Sequence, residues 1–140
     1  MINPIKTQMY KLVCVQPDGK RVSFNKTIQQ GKLAVTYSEG KLIRPKVGKI
    51  FVFDNILCAK AHYRYMSKID SLPTQLWLVE AYGTKRANTV LYVFELSAST
   101  RYAIENCKQF WASKQRDGHP QAPAGTYLCS SLRLIKEVPL

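Results

Sequence analysis

A chain of 140 residues with 46% hydrophobic and 21% charged residues suits one globular domain and is too short to give two domains adequate cores. No apolar run approaches the roughly 18 residues of a membrane span, and the opening MINPIKTQMYK lacks a signal peptide's apolar stretch, which places the chain in a cytoplasm. Twenty-one Lys and Arg against nine Asp and Glu give a net charge of +12, which favours anionic partners such as nucleic acid, a phosphorylated ligand or an acidic protein surface.

Residues 1–8 read as a loosely ordered N-terminus. Tyr10 to Val15 are mostly β-branched or apolar and suit a strand buried largely on one face. Pro17, Asp18 and Gly19 follow as a turn, because proline presets φ and glycine accepts positive φ, and they join that strand to residues 21–24 as a hairpin. Beyond Gly31, KLAVTY is a further short strand with Leu33, Val35 and Tyr37 on one face. Residues 40–49, GKLIRPKVGK, carry Lys41, Arg44, Lys46 and Lys49 without one acidic residue.

Ile50 to Phe53 form a four-residue apolar strand, and Asp54 is a good N-cap. From Asn55 the apolar spacing becomes helical through Ile56, Ala59, Tyr63 and Met66, and Asp70 to Pro73 end the helix. QLWLVEAY is the next strand, with Trp77, Val79 and Ala81 on one face and Leu76, Leu78, Glu80 and Tyr82 on the other. The loop GTKRAN then turns it into TVLYVFEL as a hairpin. A second helix is expected over residues 97–115, capped by Ser97 or Ser99, with Ile104, Cys107 and Trp111 in one stripe and Phe110 and Trp111 packing into the core. Residues 116–125 are an irregular loop. The final strand alternates Leu128, Ser130, Leu132 and Leu134 on one face. The expected fold class is α+β, a single domain (1–140) with a curved antiparallel or mixed sheet and two packed helices.

Charge is uneven along this plan. Residues 1–50 hold ten cations against Asp18 and Glu39, a net +8, while residues 51–100 net +1 and residues 101–140 net +3. The cysteines at 14, 58, 107 and 129 form no CxxC pair and have apolar neighbours, so they read as reduced core residues. Cys58 and His62, four apart on the first helix, share a face but lack further ligands for a metal. No glycine-rich phosphate loop or nucleophile elbow is present. No cofactor is implied.

The pieces YKLVCVQPDGK, KVGKIFVFDNILCAKAHY, LWLVEAYG and AGTYLCSSLRLIKEV resemble, in the same order, a family of small uncharacterised proteins scattered through bacteriophages and microbes. The resemblance covers most of residues 10–138 except Val90 to Arg116, and implies a phage or microbial origin. The strand and helix of IFVFDNILCAKAHY are also similar to a segment of ADP-ribosyltransferase-like enzymes. That similarity implies an NAD-using site in which Ala59 and Tyr63 match an Ala-x-x-Tyr pattern one residue out of step. Glu80 or Glu95 would supply the acid, and Lys11 stands where that family has a histidine or arginine.

The reading that follows is a non-catalytic binding protein, with the enzyme as the alternative. Lys41, Arg44, Lys46 and Lys49, extended by Lys85 and Arg86, are the candidate contacts for nucleic acid or an acidic protein, with Pro45 limiting the freedom of the loop that presents them. Tyr37, Tyr63, Tyr65 and Tyr82 are candidate stacking faces for unpaired bases.

Overall fold

The computed structural model describes residues 5–23, 35–66, 73–89, 108–112 and 121–140. Eight strands form one sheet: β1 (Lys6–Val15), β2 (Arg21–Ser23), β3 (Thr36–Tyr37), β4 (Ile50–Phe53), β5 (Thr74–Tyr82), β6 (Lys85–Arg86), β7 (Thr126–Cys129) and β8 (Ser131–Val138). One helix, α1 (Ile56–Met66), follows β4. The expected α+β fold with two packed helices is therefore corrected to a mostly antiparallel β structure, in which α1 is the one helix of seven residues or more among those described. Of the second expected helix, only the short turn at 108–112 falls within the described residues.

The sheet closes on itself. β1 pairs with β2, β2 with β3, and β1 with β5 along nine residues from Lys6 to Cys14, all antiparallel. β5 pairs with β8, and the chain just after β3 returns to β8 through a parallel bridge, Glu39 to Leu134. β1, β2, β3, β8 and β5 thus curl into a ring in which β3 and β8 are joined by that one isolated bridge just after β3, with a strong stagger. Tyr37 lies opposite Arg21 and hence Val15, whereas Leu134 lies opposite Val79 and hence Met9. Such an offset is what closing a few twisted strands into a barrel requires.

The expected hairpin is present, with Val15 opposite Arg21 and the Gly19 N–H donating to Gln16 O at 2.8 Å. β1 starts at Lys6, inside the stretch expected to be loose, because Lys6 pairs with Tyr82 in the ladder and its ammonium meets Glu80 at 2.8 Å. β4 and β5 fall where their alternation put them. The first helix is capped one residue later than expected: Asn55 Oδ1 accepts from Leu57 N at 2.7 Å and from Cys58 N at 3.3 Å, while Asp54 N donates to Gly125 O.

The interior holds Met9, Val13, Val35, Tyr37, Ile50, Val52, Trp77, Val79, Ala81, Cys129, Leu132 and Leu134. The opposite face of β1 is buried too. Leu12 packs with Leu76, Phe53 and Ala59 beneath α1, with Ile56, Cys58 and Tyr63 at the margin. β1 therefore reads as nearly continuously apolar because it has no solvent face along its middle.

GTKRAN is not a free loop. Lys85 and Arg86 continue β5 as β6 and pair with Leu128 and Tyr127 of β7. The last strand is likewise one strand bent at Ser130, so two long partners bend together. At the bend, a β-carbon placed on Gly83, whose φ is +65°, would lie 2.6 Å from Ser130 Oγ. Facing parity changes there: Cys129 points into the core, and so do Leu132 and Leu134, which simple alternation would have set on the other side.

Gly83→Ala should consequently cost about 3 kcal/mol, from both the positive φ and the clash. Gly40→Ala, at φ +77° with nothing within 4 Å of an added β-carbon, should cost only about 1 kcal/mol. Urea unfolding of the two variants measures the gap, and equal losses would show that the bend tolerates a side chain.

Candidate functional site

The bent β7–β8 strand organises the cations. Going up it, Arg86 lies opposite Tyr127 and Lys85 opposite Leu128. Lys49 Nζ donates to Ser130 Oγ at 2.9 Å, and Ile43 exchanges both main-chain hydrogen bonds with Leu132. Gly40 N donates to Leu134 O at 3.0 Å. Lys41, Arg44 and Lys46 lie on the connector tied at these points, so all six candidate cations are strung along residues 127–134. At about 3.4 Å per residue that stretch has a contour of about 24 Å, taken around the bend at Ser130, the contour of about seven nucleotide steps of one strand.

All six side chains are exposed, and none forms an ion pair with a described residue. The acids are engaged elsewhere or stand apart: Glu80 holds Lys6, and Asp18 Oδ1 accepts from Lys20 N within its turn. Glu39 is exposed at the start of the connector and is the strip's nearest acid in sequence. Arg133 belongs to the strip as well, its Nη1 donating to Gly40 O at 2.9 Å. Sequence reasoning passed over it because a lone arginine in LRLIK looks like any outward-facing strand residue.

Beside Lys49, the Trp111 ring lies directly against Gly48, where a β-carbon would collide with it. Trp111 stacks on Phe51 with centroids 5.3 Å apart, and Phe110 meets it edge-on at 4.9 Å. This cluster pins the end of the basic connector and confirms the packing role expected of Phe110, which is 1% exposed. The tyrosines serve less well as stacking faces than expected. Tyr37 is buried in the barrel, Tyr63 and Tyr82 are half-buried, and Tyr65's side chain lies outside the described residues.

Lys11 is the chemically unusual residue. β1's free edge is shared by two partners, β2 at Val13 to Val15 and β4 at Tyr10 alone. Where they part, Lys11 extends into the core and Nζ donates to Phe51 O at 2.8 Å, supplying the donor that the interrupted ladder lacks. The ammonium also lies 5.7 Å from the centre of the Tyr37 ring. Burial lowers its pKa from 10.5 to about 8, and the same burial raises the Tyr37 phenol and pushes the Cys129 thiol up to about 12. The Tyr37 hydroxyl lies near Ser23 without a well-aligned hydrogen bond.

Among the described residues, those of the enzyme alternative lie on different elements and faces. Ala59 is buried on the inner face of α1, and the His62 ring lies 5.5 Å from Phe53, with burial lowering its pKa to about 4. Glu80 lies on the outer face in its pair with Lys6, and Glu95 lies outside the described residues. Cys14, Cys58 and Cys129 are in no disulfide, Cys107 also lies outside the described residues, and no three His, Cys, Asp or Glu among those described come together. No helix among the described residues is long and apolar enough to cross a membrane.

No protein-family model, curated protein or solved structure matches the chain.

Between about pH 8 and 10.5 the unfolded chain holds a proton on Lys11 that the folded chain has released, so this group makes stability rise with pH across that window. Against Lys11→Met, which shares every other titrating group, the wild type should gain on the order of 2 kcal/mol between about pH 7 and pH 10. Urea unfolding of both proteins at each pH measures the difference; a constant gap would mean that Lys11 is not a buried cation.

Proposed function

We propose that this chain is a non-catalytic nucleic-acid-binding protein, an accessory factor of phage or microbial origin working in the cytoplasm, that holds a phosphate backbone along the strip from Lys41 to Arg86. The observation that carries the reading is the strip itself: exposed cations, none paired with a described carboxylate, tied to one strand over a length suited to a polyanion. Phosphates neutralised along it release condensed counterions, and that entropy is the main source of affinity for such a surface. A small closed barrel is among the architectures that carry oligonucleotides on their outer strands. That likeness is one of architecture and leaves the argument with the strip. Contacts of this kind fix position on the backbone and read little sequence.

Fluorescence anisotropy with a labelled DNA duplex tests the reading. If Lys41, Arg44, Lys46 and Lys49 each neutralise one phosphate, log affinity should fall with log salt at a slope of about −3 to −4. Replacing all four by alanine should remove most of the slope together with the affinity. A slope near zero for the wild type refutes the electrostatic model, and saturable binding to polyglutamate with none to DNA transfers the surface to an acidic protein.

A further inference from the structure

One cation outside the strip is held unlike any in it. Arg21 is the last paired residue of β2, opposite Val15 on one side and Tyr37 on the other. Its partners' side chains place it on the inward face of the barrel, at the end where β1 gives way to the Pro17–Gly19 turn. The guanidinium carbon lies 4.8 Å from the centre of the Trp77 ring. Arg21 Nε donates to Gln75 Oε1 at 3.1 Å, and the same oxygen accepts from Trp77 Nε1 at 2.9 Å. Trp77 is 3% exposed, so the surface on which the arginine lies and the acceptor that orients it are both fixed by the core.

The consequence concerns the rest of the group. A guanidinium has five N–H donors in one plane, and among the described residues only Nε–H finds an acceptor. Neither Nη makes a hydrogen bond or ion pair with a described residue, and Arg21 is half-exposed. What remains is a planar pair of donors at the barrel mouth whose orientation is already set. Little side-chain entropy is left to lose when an oxyanion arrives, and the fork matches two oxygens of one phosphate. The chain leads from here to the strip, since Tyr37, opposite Arg21, stands four residues before Lys41.

We propose that Arg21, stacked on Trp77 and oriented by Gln75, is a preset phosphate fork that grips the nucleic-acid backbone at one end of the basic strip. This inference rests on the nucleic-acid reading and sharpens it. The lysines of the strip supply diffuse attraction, whereas Arg21 supplies a contact with a required geometry.

Arg21→Lys separates the two kinds of contact because it leaves the net charge unchanged. A lysine has neither the stacking plane nor the fork, so affinity for a labelled oligonucleotide should fall about tenfold, the worth of a charge-assisted hydrogen bond. The thermal melt confirms that the variant is folded. A change of less than twofold in a folded variant overturns the proposal. Should the variant fail to fold, the arginine side-chain N–H resonances of the wild type give the answer: Arg21 should shift on titration with the oligonucleotide or with inorganic pyrophosphate. Unmoved Arg21 resonances with both ligands overturn the fork, even when the oligonucleotide binds elsewhere. An oligonucleotide that does not bind at all sinks the nucleic-acid reading on its own, and a pyrophosphate shift at Arg21 would still establish the fork.

Discussion

The approach of Gly83 to Ser130 is the constraint on which the rest of the molecule depends. Two long partner strands bend there together, and the bend is possible because residue 83 brings no side chain and accepts a positive φ. Below the bend, β7 pairs with β6 on one side and β4 on the other; above it, β5 and β8 pair with each other. The parity change at Ser130 lets Cys129 and Leu132 both reach the same core. The Ser130 hydroxyl, held at that corner, is also where Lys49 attaches. One tight contact thus turns both strands at the corner, continues the core across it and fixes the end of the basic connector.

A wall divided between β2 and β4 leaves a gap in the ladder on β1, and Lys11 fills it at a cost. A buried ammonium gives up its hydration, and one bond to Phe51 O and the Tyr37 ring repay only part of that. An apolar residue of similar length would pack there with less penalty, but it would leave the Phe51 carbonyl without its donor. The interior is therefore partly polar along one side, with Lys11, Tyr37, Ser23, Gln75 and Arg21 all presented by inward-facing positions of β1, β2, β3 and β5.

What could be read from the sequence, and what could not, follows from the range of the interactions. The β1–β2 hairpin, β4, α1 and β5 were legible because period and turn chemistry are local, and PDG needs only its own three residues to announce a turn. Lys85 and Arg86 gave no such signal: two charged residues become a strand only because β7 lies beside them. The bend in the last strand was hidden by accident of composition, since Leu128, Ser130, Leu132 and Leu134 alternate as smoothly as a straight strand would. Asp54 and Asn55 are both good caps, and the choice fell to the residue whose oxygen faces the first free N–H groups. For the site, the excess of cations in the first third was plain from counting. Their gathering on one strand was not, because Ile43 meets Leu132 from almost ninety positions away. Arg21 looked like one more surface arginine, and Trp77 and Gln75, which orient it, lie more than fifty residues further on.

Crowding these cations costs the free protein little. Lys49, just before β4, and Lys85, on β6, lie on either side of β7, a spacing of about 10 Å, close to the distance over which physiological salt screens exposed charges. The repulsion is therefore weak while the strip faces water and ions. It is the removal of condensed counterions from a polyanion, not relief of strain in the protein, that would drive association. Lysines on a connector suffice for that purpose, since counterion release asks for charge and little geometry. The cations held in place have further roles: Lys49 secures a corner while keeping its charge in the strip, Lys11 completes a ladder, and Arg21 is oriented by Gln75 and Trp77. Orientation in this protein is supplied where the core can supply it, and the exposed strip carries only charge.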